Sequence, residues 1–128
     1  MSMLDGFTSF NFDEGVPYVS ITKNGVTFNK AVIMKLDYPP FVQLLLNSQT
    51  KQIAIKACLE SDQNSVAFYK KRENSNVISV RWNVKDLLNT LQEITGWDLT
   101  FDGYKVDGTL LKEERAMLFD LNNGKVLV

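Results

Sequence analysis

The sequence predicts an α+β domain that consists mainly of antiparallel sheet with two helices. Several short segments alternate apolar and polar residues, as half-buried strands do, and two segments repeat apolar residues at three- and four-residue spacing, as amphipathic helices do. The chain has 128 residues, of which 45% are hydrophobic and 23% charged, which suits one domain with a hydrophobic core. We therefore treat residues 1–128 as a single domain with an acidic leader (1–16) and two candidate structural halves (17–70 and 77–128).

The first half is predicted to contain a hairpin, a short helix and a second hairpin. Asn24 and Gly25 mark a turn between two strands, because both residue types tolerate the positive φ of a tight hairpin. Asn29 can cap a short helix, which must end before Pro39 because the residue preceding a proline is pushed out of the helical region. The strands are predicted at 18–22, 26–28, 41–46, 52–58 and around 66–69.

The second half is predicted to contain the longer helix. A strand over 77–82 precedes a helix over 84–95, which Asn83 caps and Gly96 ends. The helical spacing predicts that this helix buries one face against the sheet, through Leu87, Leu88 and Leu91. Two further strands are predicted at 104–111 and 115–121.

The order strand, helix, strand, strand therefore appears twice, over 18–58 and over 77–121. Residue identities do not repeat strongly between the two segments. Duplication of one unit and the reuse of common local units in a small α+β domain both explain the pattern. In either case we expect an antiparallel sheet covered on one side by two helices.

The absence of histidine excludes several classes of catalytic site. Ser-His-Asp and Cys-His nucleophilic sites need a histidine, and so do the zinc sites that contain one. Cys58 is the only cysteine, which also excludes an all-cysteine zinc site, and we interpret it as a small buried hydrophobic residue. No glycine-rich phosphate-binding loop is present in the sequence. We predict no metal, no cofactor and no catalytic residues.

Carboxylates are the remaining candidates for catalysis. They are Asp98, Asp102, Asp107 and the pair Glu113 and Glu114. The spacing around Asp98 and Asp102 does not match a calcium-binding loop. Because surface turns commonly contain Asp and Glu for solvation and turn formation, we favour a structural role and predict that the protein is not an enzyme.

Nothing in the sequence predicts a membrane protein or a secreted one. No apolar run approaches the roughly 20 residues that a membrane-spanning helix needs. The first residues lack a basic segment followed by an apolar one. A single cysteine fits a reducing compartment, so we predict a cytoplasmic protein.

Charge is distributed unevenly along the chain, although the net charge is −1. Residues 17–85 contain ten Lys and Arg against four acidic residues, whereas 1–16 and 86–128 are acidic. Such asymmetry is typical of an anion-binding face, and nucleic acid is the commonest large anion in a cell. Lysines that only solvate sheet edges and helix faces are the alternative explanation. The candidate nucleic-acid contacts are Lys23, Lys30, Lys35, Lys70, Lys71, Arg72 and Arg81.

Residues 18–57 resemble the swapped-hairpin domain of AbrB/SpoVT-type regulators. The resemblance lies in Tyr-Val-Ser-Ile-Thr-Lys-Asn-Gly-Val-Thr-Phe-Asn-Lys-Ala-Val-Ile-Met-Lys-Leu, followed by 41–46 and 51–57. It implies a strand, a glycine turn, a strand, a short helix ending in leucine and a two-strand hairpin. It also implies a small dimeric DNA-binding protein, with contacts near Lys23 and Lys30. The whole chain resembles small bacterial and phage proteins of no known function, which implies none here.

Three functional hypotheses follow for a small intracellular bacterial or phage protein. The first is a nucleic-acid-binding regulator, the second is a non-enzymatic protein-interaction module, and the third is a carboxylate-based enzyme. Nucleic acid and a second copy of the chain are the candidate partners, and a membrane is not. Basic residues clustered on one face would favour the first hypothesis, and scattered ones the second.

Overall fold

The computed structural model describes residues 3–7, 15–71 and 78–127. It is a curled antiparallel sheet with two helices, which confirms the predicted α+β class. The strands are β1 (Tyr18–Thr22), β2 (Gly25–Phe28), β3 (Phe41–Asn47), β4 (Gln52–Ala57), β5 (Val66–Ala67), β6 (Val80–Trp82), β7 (Tyr104–Leu111), β8 (Ala116–Asp120) and β9 (Lys125–Val126). The helices are α1 (Lys30–Lys35) and α2 (Lys85–Thr95).

The helix ends follow the sequence signals with one exception. The Asn29 side chain accepts a hydrogen bond from the backbone N–H of Val32 and caps α1, as predicted. Gly96 ends α2 in the left-handed conformation, φ 79°, which is also as predicted. The prediction that Asn83 caps α2 is wrong, because the cap position is Val84, which makes no side-chain hydrogen bond.

The apolar face of α2 packs against the sheet. Leu88 and Leu91 are buried in the core and Leu87 is half-buried beside it, which confirms the predicted face of the helix. The same core contains the inward side chains of the strands, among them Val19 and Phe28. A single buried cluster therefore joins the sheet and both helices.

The strands are arranged in the order β5-β3-β4-β8-β7-β1-β2-β6, and β9 pairs with β7 beside β8. Elements of the two predicted halves alternate in this order, since the β7–β8 hairpin lies between the β3–β4 and β1–β2 hairpins. The halves 17–70 and 77–128 thus interlock in one sheet.

The repeated order of elements is present, as β2-α1-β3-β4 and β6-α2-β7-β8. Corresponding strands pair with each other in antiparallel fashion, β2 with β6 and β4 with β8. The outer neighbours also correspond, because β1 pairs with β7 as β5 pairs with β3. The topology therefore has an approximate twofold relation that exchanges the two units.

The sheet curls so that its end strands β5 and β6 approach each other. The indole N–H of Trp82 in β6 donates to the carbonyl oxygen of Ala67 in β5, at 3.3 Å. The rings of Phe68 and Trp82 lie 6.0 Å apart, and each also contacts the buried ring of Phe28. These aromatic contacts join the two ends of the sheet from inside.

The end strands are shorter than the sequence predicted, and β6 begins at Val80, whereas a strand was predicted over 77–82. The prediction for β5 was a strand over 66–69, but regular pairing with β3 stops at Ala67. The N–H groups of Phe68 and Tyr69 still donate to the carbonyl oxygens of Pro40 and Pro39, at 2.8 and 3.1 Å. Because Pro39 and Pro40 have no N–H, they cannot donate the hydrogen bonds that would complete a regular ladder with Phe68 and Tyr69.

Candidate binding groove between the end strands

A groove separates β5 from β6 on the outside of the curled sheet. Its volume is about 430 Å³, within the range of ligand-binding clefts. It is lined by Thr27, Ala67, Phe68, Tyr69, Lys70, Ser79, Val80, Arg81 and Trp82. We call it the basic groove, because two of the predicted nucleic-acid contacts, Lys70 and Arg81, meet in it.

Strand alternation positions the side chains of the basic groove. In β6, Val80 is buried and Trp82 is half-buried, so that Arg81 between them is exposed on the outer face. The Arg81 Nε donates to the hydroxyl of Thr27 at 3.1 Å, which orients the guanidinium across β2 and β6. Phe68 and Trp82 meet at the inner side of the groove.

The described residues that line the basic groove carry a positive charge. Lys70 and Arg81 contribute two cations, and no acidic residue is among the described residues that line it. Both side chains are exposed. The groove therefore favours a ligand that carries a negative group at this position.

An apolar recess of about 310 Å³ continues the basic groove. It shares Ala67 and Trp82 with that groove and is otherwise lined by apolar side chains, which are Leu44, Val66, Val84 and Leu87. Val66 is 41% exposed and Val84 is 50% exposed. The two cavities adjoin at Ala67 and Trp82, and we refer to them together as the depression, with a basic end and an apolar end.

Both sides of this depression are strand edges. Among the described strands, β5 pairs only with β3 and β6 pairs only with β2, so each has one edge without a ladder. An unpaired edge presents backbone N–H and C=O groups that can bind another extended chain. Residues 72–77, which connect the two sides in sequence, lie outside the described residues.

The twofold relation identifies what normally occupies such a position. The β1–β2 hairpin corresponds to β5 and β6, and it is a complete ladder in which Ser20 faces Thr27. No such ladder joins the described residues of β5 and β6. The groove lies where that ladder would be.

The other predicted nucleic-acid contacts are distributed over the surface. Lys23 is in the turn between β1 and β2, Lys30 and Lys35 are exposed at the two ends of α1, and Lys71 follows Lys70. The remaining prediction, Arg72, lies outside the described residues. The basic groove thus combines two of the seven.

An arginine that the sequence analysis did not identify, Arg115, lies at the C-terminal end of α1. Arg115 donates from its guanidinium to the carbonyl oxygen of Leu36 at 3.0 Å. Tyr38, just after this helix, packs on Tyr69 of the groove with ring centroids 5.2 Å apart. Arg115 is 79 residues from Leu36 in sequence, so no local pattern could have indicated the contact.

The carboxylate candidates do not converge. Asp98 accepts a hydrogen bond from the N–H of Thr100 at 3.0 Å, which is a turn contact, while Asp107 lies exposed on β7. Asp102 is exposed near Asp98, and Glu113 and Glu114 form part of the short turn before β8. Within the described ranges, no group of three or more Cys, Asp or Glu side chains could hold a metal ion.

Cys58 lies just after β4 and is half-buried. Burial raises the pKa of its thiol, and the negative charge of Asp62 raises it further. Less thiolate is then present near neutral pH than for an ordinary cysteine. This argues against a reactive thiol, although Cys58 is half-buried and not fully buried as predicted.

Neither described helix has the length and apolar character required to cross a membrane. No protein-family model, curated protein or solved structure matches the chain. The resemblance of residues 18–57 to AbrB/SpoVT-type regulators therefore stays a prediction. The chemistry of the groove is the basis on which a function can be proposed.

Proposed function

We propose that the protein is a non-enzymatic interaction module that binds an extended segment of a partner protein between β5 and β6. The observation that carries the proposal is the open ladder between these two strands, whose counterpart between β1 and β2 is closed. Added strands bind through main-chain hydrogen bonds, and side-chain pockets beside them provide specificity. The basic groove and the apolar recess supply such pockets.

The distribution of basic residues favours this function over nucleic-acid binding. Lys23 is at the β1–β2 turn, whereas Lys30 lies beyond the other end of β2, so these two cations lie at opposite ends of one strand. A duplex-binding face gathers several cations along a phosphate backbone. The nucleic-acid hypothesis and the homodimer stay predictions, and nucleic acid is one outcome of the experiments below.

Selection of peptides tests the proposal directly. Random nine-residue peptides displayed on phage are selected on the immobilised protein, and the enriched peptides are synthesised for affinity measurements. A variant designed to bridge the two sides of the groove, Tyr69→Cys with Ser79→Cys in a Cys58→Ser background, keeps both Lys70 and Arg81. Its reduced form is the matched control for its oxidised form.

The expected result is that enriched peptides bind the wild type and the reduced variant, and that oxidation weakens their binding at least about tenfold. A second disulfide, Leu45→Cys with Ala54→Cys in the same background, joins β3 and β4, which are already paired, outside the groove and should leave affinity unchanged. Failure to enrich any peptide, or equal binding by the oxidised and reduced forms, would contradict the proposal.

A further inference from the structure

We infer that the bound segment carries a carboxylate at the basic groove and an apolar side chain at the apolar recess. The inference rests on the proposed function and specifies the chemistry of the partner. Two observations support it independently of the open ladder, namely the unbalanced charge of one end of the depression and the apolar lining of the other.

The basic end fits a carboxylate better than a neutral group. The guanidinium of Arg81 is held by Thr27 through Nε, and its terminal nitrogens are the part that can meet a ligand. Lys70 provides a second cation on the opposite side of the same cavity. A charge-assisted hydrogen bond to a carboxylate is about twice as strong as a neutral one.

The apolar end fits an aliphatic side chain. Val66 and Val84 expose large parts of their surfaces there, and Leu87 of α2 and the indole of Trp82 complete the lining. Burying an aliphatic side chain in such a recess removes apolar surface from water on both partners. The recess supplies no charged side chain among the described residues.

The spacing of the two groups follows from the separation of Arg81 and Val84 along the chain. They are three residues apart on an extended stretch, which corresponds to about 10 Å at roughly 3.3 Å per residue. Because this separation is an odd number of residues, the two side chains lie on opposite faces of the stretch. An acidic residue followed or preceded by leucines one and three positions away therefore matches the two ends.

The probe is the fluorescein-labelled peptide Ser-Glu-Leu-Thr-Leu-Thr-Ser, together with its reversed sequence, because the strand direction is not fixed by the groove. One matched peptide replaces Glu with Gln, and another replaces both Leu with Ala. Affinities are measured by fluorescence anisotropy at two salt concentrations. The protein variants are Arg81→Gln, Lys70→Gln and, as a control outside the groove, Lys23→Gln.

One orientation of the glutamate peptide should bind about tenfold more tightly than its glutamine counterpart. Arg81→Gln or Lys70→Gln should reduce this difference, Lys23→Gln should not, and added salt should weaken the glutamate peptide more. The alanine peptide should bind weakly to every variant. Peptides enriched from the random library should also contain Asp or Glu near an aliphatic residue.

Equal binding of the glutamate and glutamine peptides, with both blocked by closing the groove, would overturn the inference and keep the proposed function. Enriched peptides without acidic residues would do the same. Absence of any groove-dependent peptide would overturn both. A fluorescein-labelled thymidine dodecamer that binds through Lys70 and Arg81 in place of peptides would also overturn both, and would assign the groove to nucleic acid.

Discussion

The β1–β2 hairpin and the β5–β6 pair occupy corresponding positions in the two units, yet one is closed and the other open. Four residue pairs join β1 to β2, from Val19 and Phe28 to Thr22 and Gly25. Between β5 and β6, the described contact is made by a side chain, the indole of Trp82 on the carbonyl of Ala67. Corresponding positions in the topology therefore hold a paired hairpin in one unit and a groove in the other.

Two local features of the sequence account for this difference. The first pair is connected by Lys23 and Asn24 alone, which brings the strands directly into register. The second pair is separated by residues 68–79, so no tight turn forces the ladder to form. On the side of β5 that faces β3, Phe68 and Tyr69 donate to the carbonyl oxygens of Pro40 and Pro39, which have no N–H to donate in return. The short connection of the first pair is therefore a feature that the second pair lacks.

We expect the largest effect from a substitution in the aromatic contacts that hold both sides of the groove. Phe28 is fully buried and its ring meets Phe68, Trp82 and Phe119, at centroid distances of 5.5, 5.0 and 5.8 Å. Phe28→Ala should lower the free energy of unfolding by about 3–5 kcal/mol, because it leaves a cavity where the two ends meet. Chemical denaturation measures this, with the exposed Phe101 as control.

Phe101→Ala should change stability by less than about 0.5 kcal/mol, because the side chain is 83% exposed. Equal destabilisation by both substitutions would mean that the end strands are not held together through Phe28. The Phe28 variant should also lose the groove-dependent peptide binding, since Phe68 and Trp82 would no longer be fixed against it.

A glycine substitution tests how closely β6 must approach β2. Gly25 has φ 135°, and a Cβ built there would lie 2.7 Å from the carbonyl oxygen of Trp82. Gly25→Ala should therefore cost about 1–3 kcal/mol through strain and displacement of β6. Gly96→Ala is the matched control, because φ is 79° but nothing lies within 4 Å of the new methyl group.

Gly96→Ala gives the cost of the left-handed conformation alone, and the excess for Gly25→Ala contains the contact with β6 together with the added strain of φ 135°. Gly96→Ala should cost about 1–2 kcal/mol from conformation alone. Thermal or denaturant unfolding gives both values. A Gly25→Ala variant no less stable than Gly96→Ala would show that β6 can move away freely, which would contradict a groove with a fixed β6 side.

The sequence predicts the closed region better than the open one. The bounds of β1 and β7 agree with the prediction residue by residue, because alternating apolar residues and nearby turns are local signals. The short bounds of β5 and β6 depend on partners distant in sequence, and no local pattern at Ala67 indicates that it lines a groove with Arg81. Lys70 and Arg81 line one groove because the sheet curls. The spacing of residues along the sequence does not predict this curl.

We expect the smallest effects from alanine substitutions of a valine in each of the corresponding strands β1 and β5. Val19 in β1 and Val66 in β5 both lie at positions that pair with a valine of the neighbouring strand, Val106 and Val42 respectively. Val19 is fully buried, whereas Val66 is 41% exposed at the apolar recess. Val19→Ala should cost about 2 kcal/mol, because it removes two buried methyl groups and leaves a cavity.

Val66→Ala should change the free energy of unfolding by no more than about 0.5 kcal/mol, since the position is already in contact with water. Its effect should appear in binding, because leucine-containing peptides would lose an apolar contact in the recess while the alanine peptide would not. Denaturation curves and anisotropy titrations on the same two variants separate these effects. If Val66→Ala destabilised the fold as strongly as Val19→Ala, β5 would be packed as β1 is and the open position could not be a binding groove. Such a result would mean that β5 and β6 are paired in solution and that Val66 is buried there as Val19 is.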